Sequence, residues 1–323
     1  MKEQKKLTYT CVTYNRGKML FNLLYSFALS NRYENYEWII FEHDTTDGTA
    51  NFLKKLESGN VPELDVMKNK VKVIYEDQDE YISSIEKLGY TFENPPVGFR
   101  KKHLCYQGKL RNQMRAIAQG DYFIDLPDDH QFLYDGNWAQ DIIDIFDDRI
   151  EKTGRDDISA LTFRTRALYR ILKKNNETYP VEATQSGIEY YVVKEKTWDD
   201  WSAISRENFE RLGGYLQLET ATEEEVKKYW NDEKMFHYHS MLDKTSALGL
   251  KKIMTKIPIM HDCGDNKHVK ANMSFPVFPI ARDKEILNKM WSQIGKDRCM
   301  SRAELEAMWP KHSSNKGAGP REA

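Results

Sequence analysis

The sequence predicts an α/β protein built on a mostly parallel sheet flanked by helices. Three observations predict it: short apolar runs bounded by polar residues, amphipathic stretches between them, and the regular alternation of the two along residues 7–164. A strand–helix–strand order of this kind closes through right-handed crossovers, which leaves neighbouring strands parallel.

Each element has its own local reason. Leu7 to Tyr14 is rich in β-formers and ends at Asn15-Arg16, and an amphipathic stretch runs from about Lys18 to Ser30. Trp38 to Glu42 (WIIFE) has the look of a strand buried on both faces. Thr45 to Gly48 makes a turn, with Thr49 as the expected cap of the helix ANFLKKLES, and Val71 to Tyr75 is the third strand. Residues 78–106, broken by Pro95-Pro96, read as a long loop. A helix is expected from about Lys109 to Ala118, stopped by Gly120, and the strand Asp121 to Leu126 runs straight into Pro127-Asp128-Asp129-His130. A helix near Trp138 to Glu151 and a strand near Ile158 to Arg164 follow. Beyond residue 180 the expected elements are a strand Glu189 to Val193, a helix from Arg206 to Gly213-Gly214, a helix from about Glu233 to Leu248, and a strand Lys252 to Met260 that leads to His261. The stretch 311–323 is poor in apolar residues and reads as a disordered tail.

Composition narrows the function classes. At 40% hydrophobic residues the chain can bury a sizeable core, and 48 basic against 50 acidic residues exclude the basic excess of a typical nucleic-acid binder. Cys11, Cys105, Cys263 and Cys299 form no CxxC pair, which fits reduced thiols and gives no support for structural zinc. No apolar run follows the charged MKEQKKLTYT start, and none approaches the roughly 18 to 20 residues of a membrane span. The expectation is a soluble, cytoplasmic protein, with peripheral membrane contact left open.

Three constellations carry chemistry. Asp128-Asp129-His130 directly follows a buried strand, where ligands of open parallel sheets bind, and carboxylates with an imidazole suit a divalent metal. The plainer reading is an acidic turn capping the next element. His261, at the end of a later strand, is a third metal-ligand candidate or a structural histidine. Thr13-Tyr14-Asn15-Arg16 ends the first strand and Glu42 the second, with Asp44 and Asp47-Gly48-Thr49 beyond it. A carboxylate there can accept from a base N–H while an aromatic stacks on the ring, though either piece alone is an ordinary βα turn. Gly108 to Asn112 would set Arg111 at a helix start, suited to a diphosphate or to a solvated helix face.

TYNR, the strand with FEHDTTDGT, GKLRN followed by AQGDYFIDLPDDH, and SAISRENFERLGGY resemble, in order and spacing, the successive blocks of glycosyltransferase family two, with its Rossmann-like GT-A fold. The resemblance covers about residues 7–262. It implies a donor half over 1–155 that holds a nucleotide-diphospho-sugar, an acceptor-binding and catalytic half over 156–310 of the same domain, and a divalent metal, Mn or Mg. By position, Thr13, Tyr14 and Glu42 would contact the nucleoside, Arg111 would lie near the base or diphosphate, and Asp129 would be the main carboxylate of the DxD-type motif. Glu42 stands where Asp is usual. Pro127 stands where the first Asp is usual, so Asp128-x-His130 takes over, and His261 would supply the later histidine that some GT-A enzymes use. The catalytic base is open among Asp232, Glu233, His239 and Asp243, near the helix ending at Gly249, and Asp200 of Trp198-Asp199-Asp200-Trp201, whose tryptophans suit sugar stacking or a core. The acceptor would be a glycan, a lipid-linked or another hydroxyl compound. A sugar nucleotidyltransferase is the rival enzyme, although VTYNRGKML lacks its Gly-rich phosphate loop, and a non-catalytic sugar-binding module is the rival outside enzymes.

Overall fold

The computed structural model describes residues 4–43, 45, 47–76, 79, 83, 86, 98–132, 134–164, 179–193, 198–199, 201–217, 219–230, 236–257, 259–262 and 300–301. Strand β1 (Leu7–Thr13) leads into helix α1 (Gly17–Ser30), β2 (Tyr36–His43) into α2 (Thr49–Glu57), and β3 (Val71–Glu76) completes the first unit. Then come α3 (Gly98–Ile117), β4 (Tyr122–Pro127), β5 (His130–Phe132), β6 (Tyr134–Asp135) and α4 (Trp138–Thr153). Then follow β7 (Ile158–Thr162), β8 (Val181–Ala183), β9 (Glu189–Val193), β10 (Ala203–Ser205), α5 (Arg206–Arg211), α6 (Glu223–Trp230), α7 (Phe236–Ala247), β11 (Lys251–Thr255), β12 (Met260–Asp262) and β13 (Met300–Ser301).

The fold class is the expected one. Among the described residues a nine-stranded sheet runs β3-β2-β1-β4-β10-β7-β11-β9-β8, so strands from both sides of residue 155 share it. Pairing is parallel through β3, β2, β1 and β4 and between β7 and β11, while β10, β9 and β8 are antiparallel to their neighbours. Helices cover both faces. Leu7, Tyr9 and Cys11 of β1 face Leu20, Leu24 and Phe27 of α1 and Ile142 and Phe146 of α4. On the other face Ile39, Phe41 and Phe123 pack with Leu110 and Met114 of α3, Phe209 of α5 and Met241 of α7. Period-two alternation along each strand sorts the residues between these layers.

Aromatic packing fixes the ribbon that carries the acidic turn. Tyr9 stacks on Trp38 with ring centres 5.1 Å apart, and Phe27 meets Phe132 edge-on at 5.4 Å. Phe132 in turn stacks on Trp138 at 4.5 Å. Such pairs contribute about 0.5–1.5 kcal/mol each beyond the area they bury, so β5 is held against α1 and α4.

Local departures from expectation have physical reasons. Helix α3 begins at Gly98 and not near Lys109; Gly108 and a basic, weakly periodic stretch hide its first half from pattern reading. Thr49 is not the cap of α2. Gly48, at φ 90°, holds that position, and Asp47 Oδ1 accepts the Thr49 N–H at 3.0 Å. The expected strand Lys252 to Met260 is split into β11 and β12, with Pro258, which has no N–H to give a ladder, in the interval.

Gly120 joins α3 to β4 under close constraint. A Cβ there would lie 2.6 Å from the Thr8 backbone nitrogen, and the Gly120 N–H already donates to Thr8 Oγ1 at 2.9 Å. Relief would require β1 to move. Gly120→Ala is therefore expected to lower stability by about 3 kcal/mol, at the upper end of ordinary overpacking. Urea unfolding measures it, and an unchanged midpoint would refute the constraint.

Candidate functional site

The sheet order places β1 between β2 and β4, and the crossover helices leave β1 toward opposite faces on its two sides. The crevice beyond the carboxyl ends of β1 and β4 is therefore the switch point of the sheet, where open α/β folds bind ligands. Thr13 lies opposite Glu42, and Val12 opposite Pro127, so the expected residues of β1, β2 and β4 meet at one edge.

Their side chains interlock there. Thr13 Oγ1 donates to Asp128 Oδ2 at 3.0 Å. Asn15 adopts a left-handed conformation (φ 51°), which turns the chain, and Arg16 Nη1 reaches both Asp128 Oδ1 at 3.0 Å and Asp129 Oδ2 at 3.1 Å. His130 Nδ1 lies 3.0 Å from Asp129 Oδ1, while its buried Nε2 meets no hydrogen-bond partner among the described residues. Burial pushes the Asp128 carboxyl up to about 6 against the pull of Arg16. Burial acts the same way on Asp129, but His130 and Arg16 outweigh it and hold that carboxyl at about 2. The two adjacent carboxylates are thus driven apart, as acid and base pairs in active sites are.

The neighbouring face suits a planar ring. Glu42 is buried and its Oε1 accepts the Thr45 N–H at 2.6 Å, which fixes the carboxylate at the strand end. Tyr14 is exposed and meets the buried His43 ring edge-on at 5.8 Å. Asp47 stitches the two βα turns together through the Thr49 N–H and, at 3.3 Å, the Gly17 N–H. Asp44 lies outside the described residues.

Arg111 is not at a helix start. It sits deep in α3, is 4% exposed, and its Nη1 donates to Asp125 Oδ2 at 2.9 Å. Arg115 and Thr10 bond the same carboxylate, and the Arg115 guanidinium lies 4.0 Å over the Phe209 ring. This charged layer beneath the crevice went unread in the sequence. Its signal was present: an Asp inside the buried run DYFIDL, and two arginines four apart on one helix face. The blocks around it also clasp each other. Asn112 accepts the Tyr215 N–H at 2.9 Å and donates to the Tyr215 carbonyl at 2.8 Å, while Arg206 donates to the Gly120 and Ala118 carbonyls at 3.0 and 2.8 Å.

In the second half, Trp198 is a core residue, buried against Tyr215 at 5.7 Å. Asp199 is sealed by Arg164 and Lys252, each at 2.8 Å, and by Thr162 at 3.2 Å. Burial alone would raise its carboxyl, yet the two cations hold it well below the usual range. The half-buried Trp201 carries the Arg164 guanidinium over its ring at 4.9 Å. Asp243 is tied to Lys228 and Tyr229 on the surface, and α7, which bears His239, is anchored by Tyr238 to the Trp198 carbonyl at 3.3 Å. Asp200, Asp232 and Glu233 lie outside the described residues. In the β5–β12 ribbon His261 takes the position opposite Gln131, and Asp262 the one opposite His130.

No family model and no curated protein matches this chain. Among solved structures it is similar to S. aureus TarS (13% identity, 92% of this chain and 44% of that one, TM-score 0.44). TarS 1–349 in complex with UDP shares 12% identity over 83% of this chain and 63% of that one, with a TM-score of 0.46. The mannosyltransferase PcManGT from Pyrobaculum calidifontis, in complex with GDP-Man and Mn2+, shares 14% identity over 95% of this chain and 70% of that one, with a TM-score of 0.48. The chain thus spans less than two thirds of the first two. Every score lies below 0.5, so these likenesses assign neither ligand nor activity to it.

The donor atoms at this edge are mainly carboxylate oxygens. Asp128 and Asp129 converge on one cationic nitrogen, and hard carboxylate oxygens are the ligands that Mg or Mn prefer. Among the described residues no group of three or more His, Cys, Asp or Glu is placed to hold a metal ion. A metal there would be held by these two carboxylates alone and completed by phosphate oxygens of a substrate. Among the described residues, no helix is long and apolar enough to cross a membrane.

Proposed function

We propose that this chain is a glycosyltransferase that moves a sugar from a nucleoside-diphosphate donor to an acceptor hydroxyl. The observation that carries the reading is the convergence of Thr13, Arg16, Asp128 and Asp129 across the switch-point crevice, with Glu42 and Tyr14 beside it. Glu42 receives a base N–H and Tyr14 offers its exposed ring to the base, with Asp44 a further candidate for the nucleoside. Asp128 and Asp129, with His130 beside Asp129, hold a divalent cation, Mn or Mg, and His261 is the further ligand candidate. That cation supplies charge neutralisation on the departing diphosphate. The arginine of the crevice faces the same diphosphate. The acceptor hydroxyl loses its proton to a carboxylate or imidazole of the second half, from the set Asp200, Asp232, Glu233 and His239. A cytoplasmic setting and a glycan, lipid-linked or other hydroxyl acceptor complete the proposal.

The test is a panel of nucleotide sugars with Mn2+, read as released nucleoside diphosphate. Pyrophosphate release would favour a nucleotidyltransferase, and donor binding without any turnover would favour a binding module. Glu42→Ala is expected to weaken donor affinity about 10- to 100-fold, the size of a lost hydrogen bond to a charged group. Equal donor binding in calorimetry would remove Glu42 from the nucleoside contact.

A further inference from the structure

Arg16 occupies the point where a cation shared by two carboxylates would have to sit. One nitrogen, Nη1, bonds both Asp128 Oδ1 and Asp129 Oδ2. The Arg16 side chain is 33% exposed and the Asp128 side chain 6%, so the guanidinium closes over the buried carboxylate from the solvent side. Its backbone is fixed. Asn15 before it is left-handed, and Gly17 after it donates to Asp47 and packs so closely on Thr49 that a Cβ would lie 2.8 Å from Thr49 Oγ1. The main chain is therefore pinned on both sides of Arg16, while its side chain is one-third exposed to solvent.

Charge and lone pairs make the consequence specific. Asp128 and Asp129 bring two negative charges and Arg16 one positive charge to a single spot. A divalent ion added with Arg16 in place would confront the guanidinium at contact distance and claim the same oxygen lone pairs. A diphosphate brings new anionic oxygens into reach and matches the planar donor fork of arginine.

Resting on the donor-site reading above, we propose that Arg16 is a built-in competitor for the divalent cation. It holds the two carboxylates in the donor-free protein and releases them only when a nucleoside diphosphate offers its phosphate oxygens instead. Metal then binds well only together with the nucleotide, and the site excludes free metal that arrives alone.

The experiment titrates the intact chain with Mn2+ alone, and with Mn2+ in saturating UDP or GDP, by calorimetry or by the electron paramagnetic resonance signal of free Mn2+. Wild type is expected to bind Mn2+ weakly alone and much more tightly with nucleotide. Arg16→Gln is expected to bind Mn2+ alone at least about tenfold more tightly than wild type, the worth of one charge-assisted bond no longer contested. With nucleotide present that advantage disappears, and the variant binds the nucleotide less well. Arg16→Met, which keeps the apolar stem, provides the second test, and a melting curve verifies folding of both. Equal affinity of wild type and both variants for Mn2+ alone would overturn the competition while leaving the donor site intact. Absence of Mn2+ and nucleotide binding in every form would overturn the donor-site reading itself.

Discussion

Asp128→Ala is expected to lower metal-dependent turnover on the order of a thousandfold or more, with little loss of fold. A shared cation that neutralises a leaving diphosphate supplies several kcal/mol of transition-state stabilisation, and each 1.36 kcal/mol is a factor of ten. Asp128 is the more deeply placed of the two carboxylates and the one that links β1 to β4, through Thr13 and Arg16. On the proposed function its loss removes both a metal ligand and the partner that aims Arg16. The fold should tolerate it because burial of this carboxylate is costly and only Thr13 and Arg16 offset that cost, so the melting temperature is expected to stay level or rise. Steady-state kinetics with Mn2+ and a thermal melt decide the matter together. Turnover within tenfold of wild type would remove Asp128 from the metal site, and a collapsed melt would make the activity loss uninformative until Asp128→Asn had been tried.

Much of this strand-end cluster is legible in the sequence, for a simple reason. The residues that matter close buried strands, and buried strands announce themselves as short apolar runs. WIIFE, LTYTCVT and DYFIDL gave the sheet, and what followed each of them marked its carboxyl edge. What stayed hidden is non-local. Nothing near Arg16 in sequence says that its guanidinium bridges Asp128 and Asp129, because that contact depends on β1 and β4 being neighbours. The pairing of β12 with β5, which sets His261 opposite Gln131, depends on an antiparallel register between segments far apart in the chain. Strands of three residues, such as β5, β8 and β10, are too short for a period to be seen. Arg111 was misplaced for a different cause: with the start of α3 hidden, a residue of its interior read as a residue of its first turn.

The crevice and the layer beneath it divide the work. Alternate positions of β4 point to opposite faces, so Ile124 and Leu126 join the apolar side while Asp125 joins a buried polar layer with Thr10 of β1 and Arg111 and Arg115 of α3. That layer ties α3 to the two strands whose ends form the site. The arginines also rest on Tyr215 and Phe209, which connects α3 to the segment following β10. Rigid support of this kind is what lets Thr13, Arg16 and Asp128 hold hydrogen-bond distances across two strands.

Asp125→Ala is accordingly expected to be among the most destabilising single changes in residues 1–155. Arg111 and Arg115 have side chains 5% and 3% exposed, and both bond Asp125 Oδ2. Removing the carboxylate leaves two buried guanidinium groups facing each other across an emptied space. Breaking one buried pair costs about 3–5 kcal/mol, a large part of a typical domain's 5–15 kcal/mol. The variant should be largely unfolded or insoluble near body temperature and, if recovered, should unfold at far lower urea than wild type. Asp125→Asn keeps the volume and still leaves the charges uncompensated, so it should fare only slightly better. Replacing the whole set at once, as Asp125→Leu with Arg111→Met and Arg115→Leu, is expected to recover much of the loss, because apolar groups of similar size need no partner. If Asp125→Ala unfolds at the wild-type urea midpoint, the charged layer does not hold α3 to the sheet. If the triple variant is as unstable as the single one, shape and not charge is what the layer supplies.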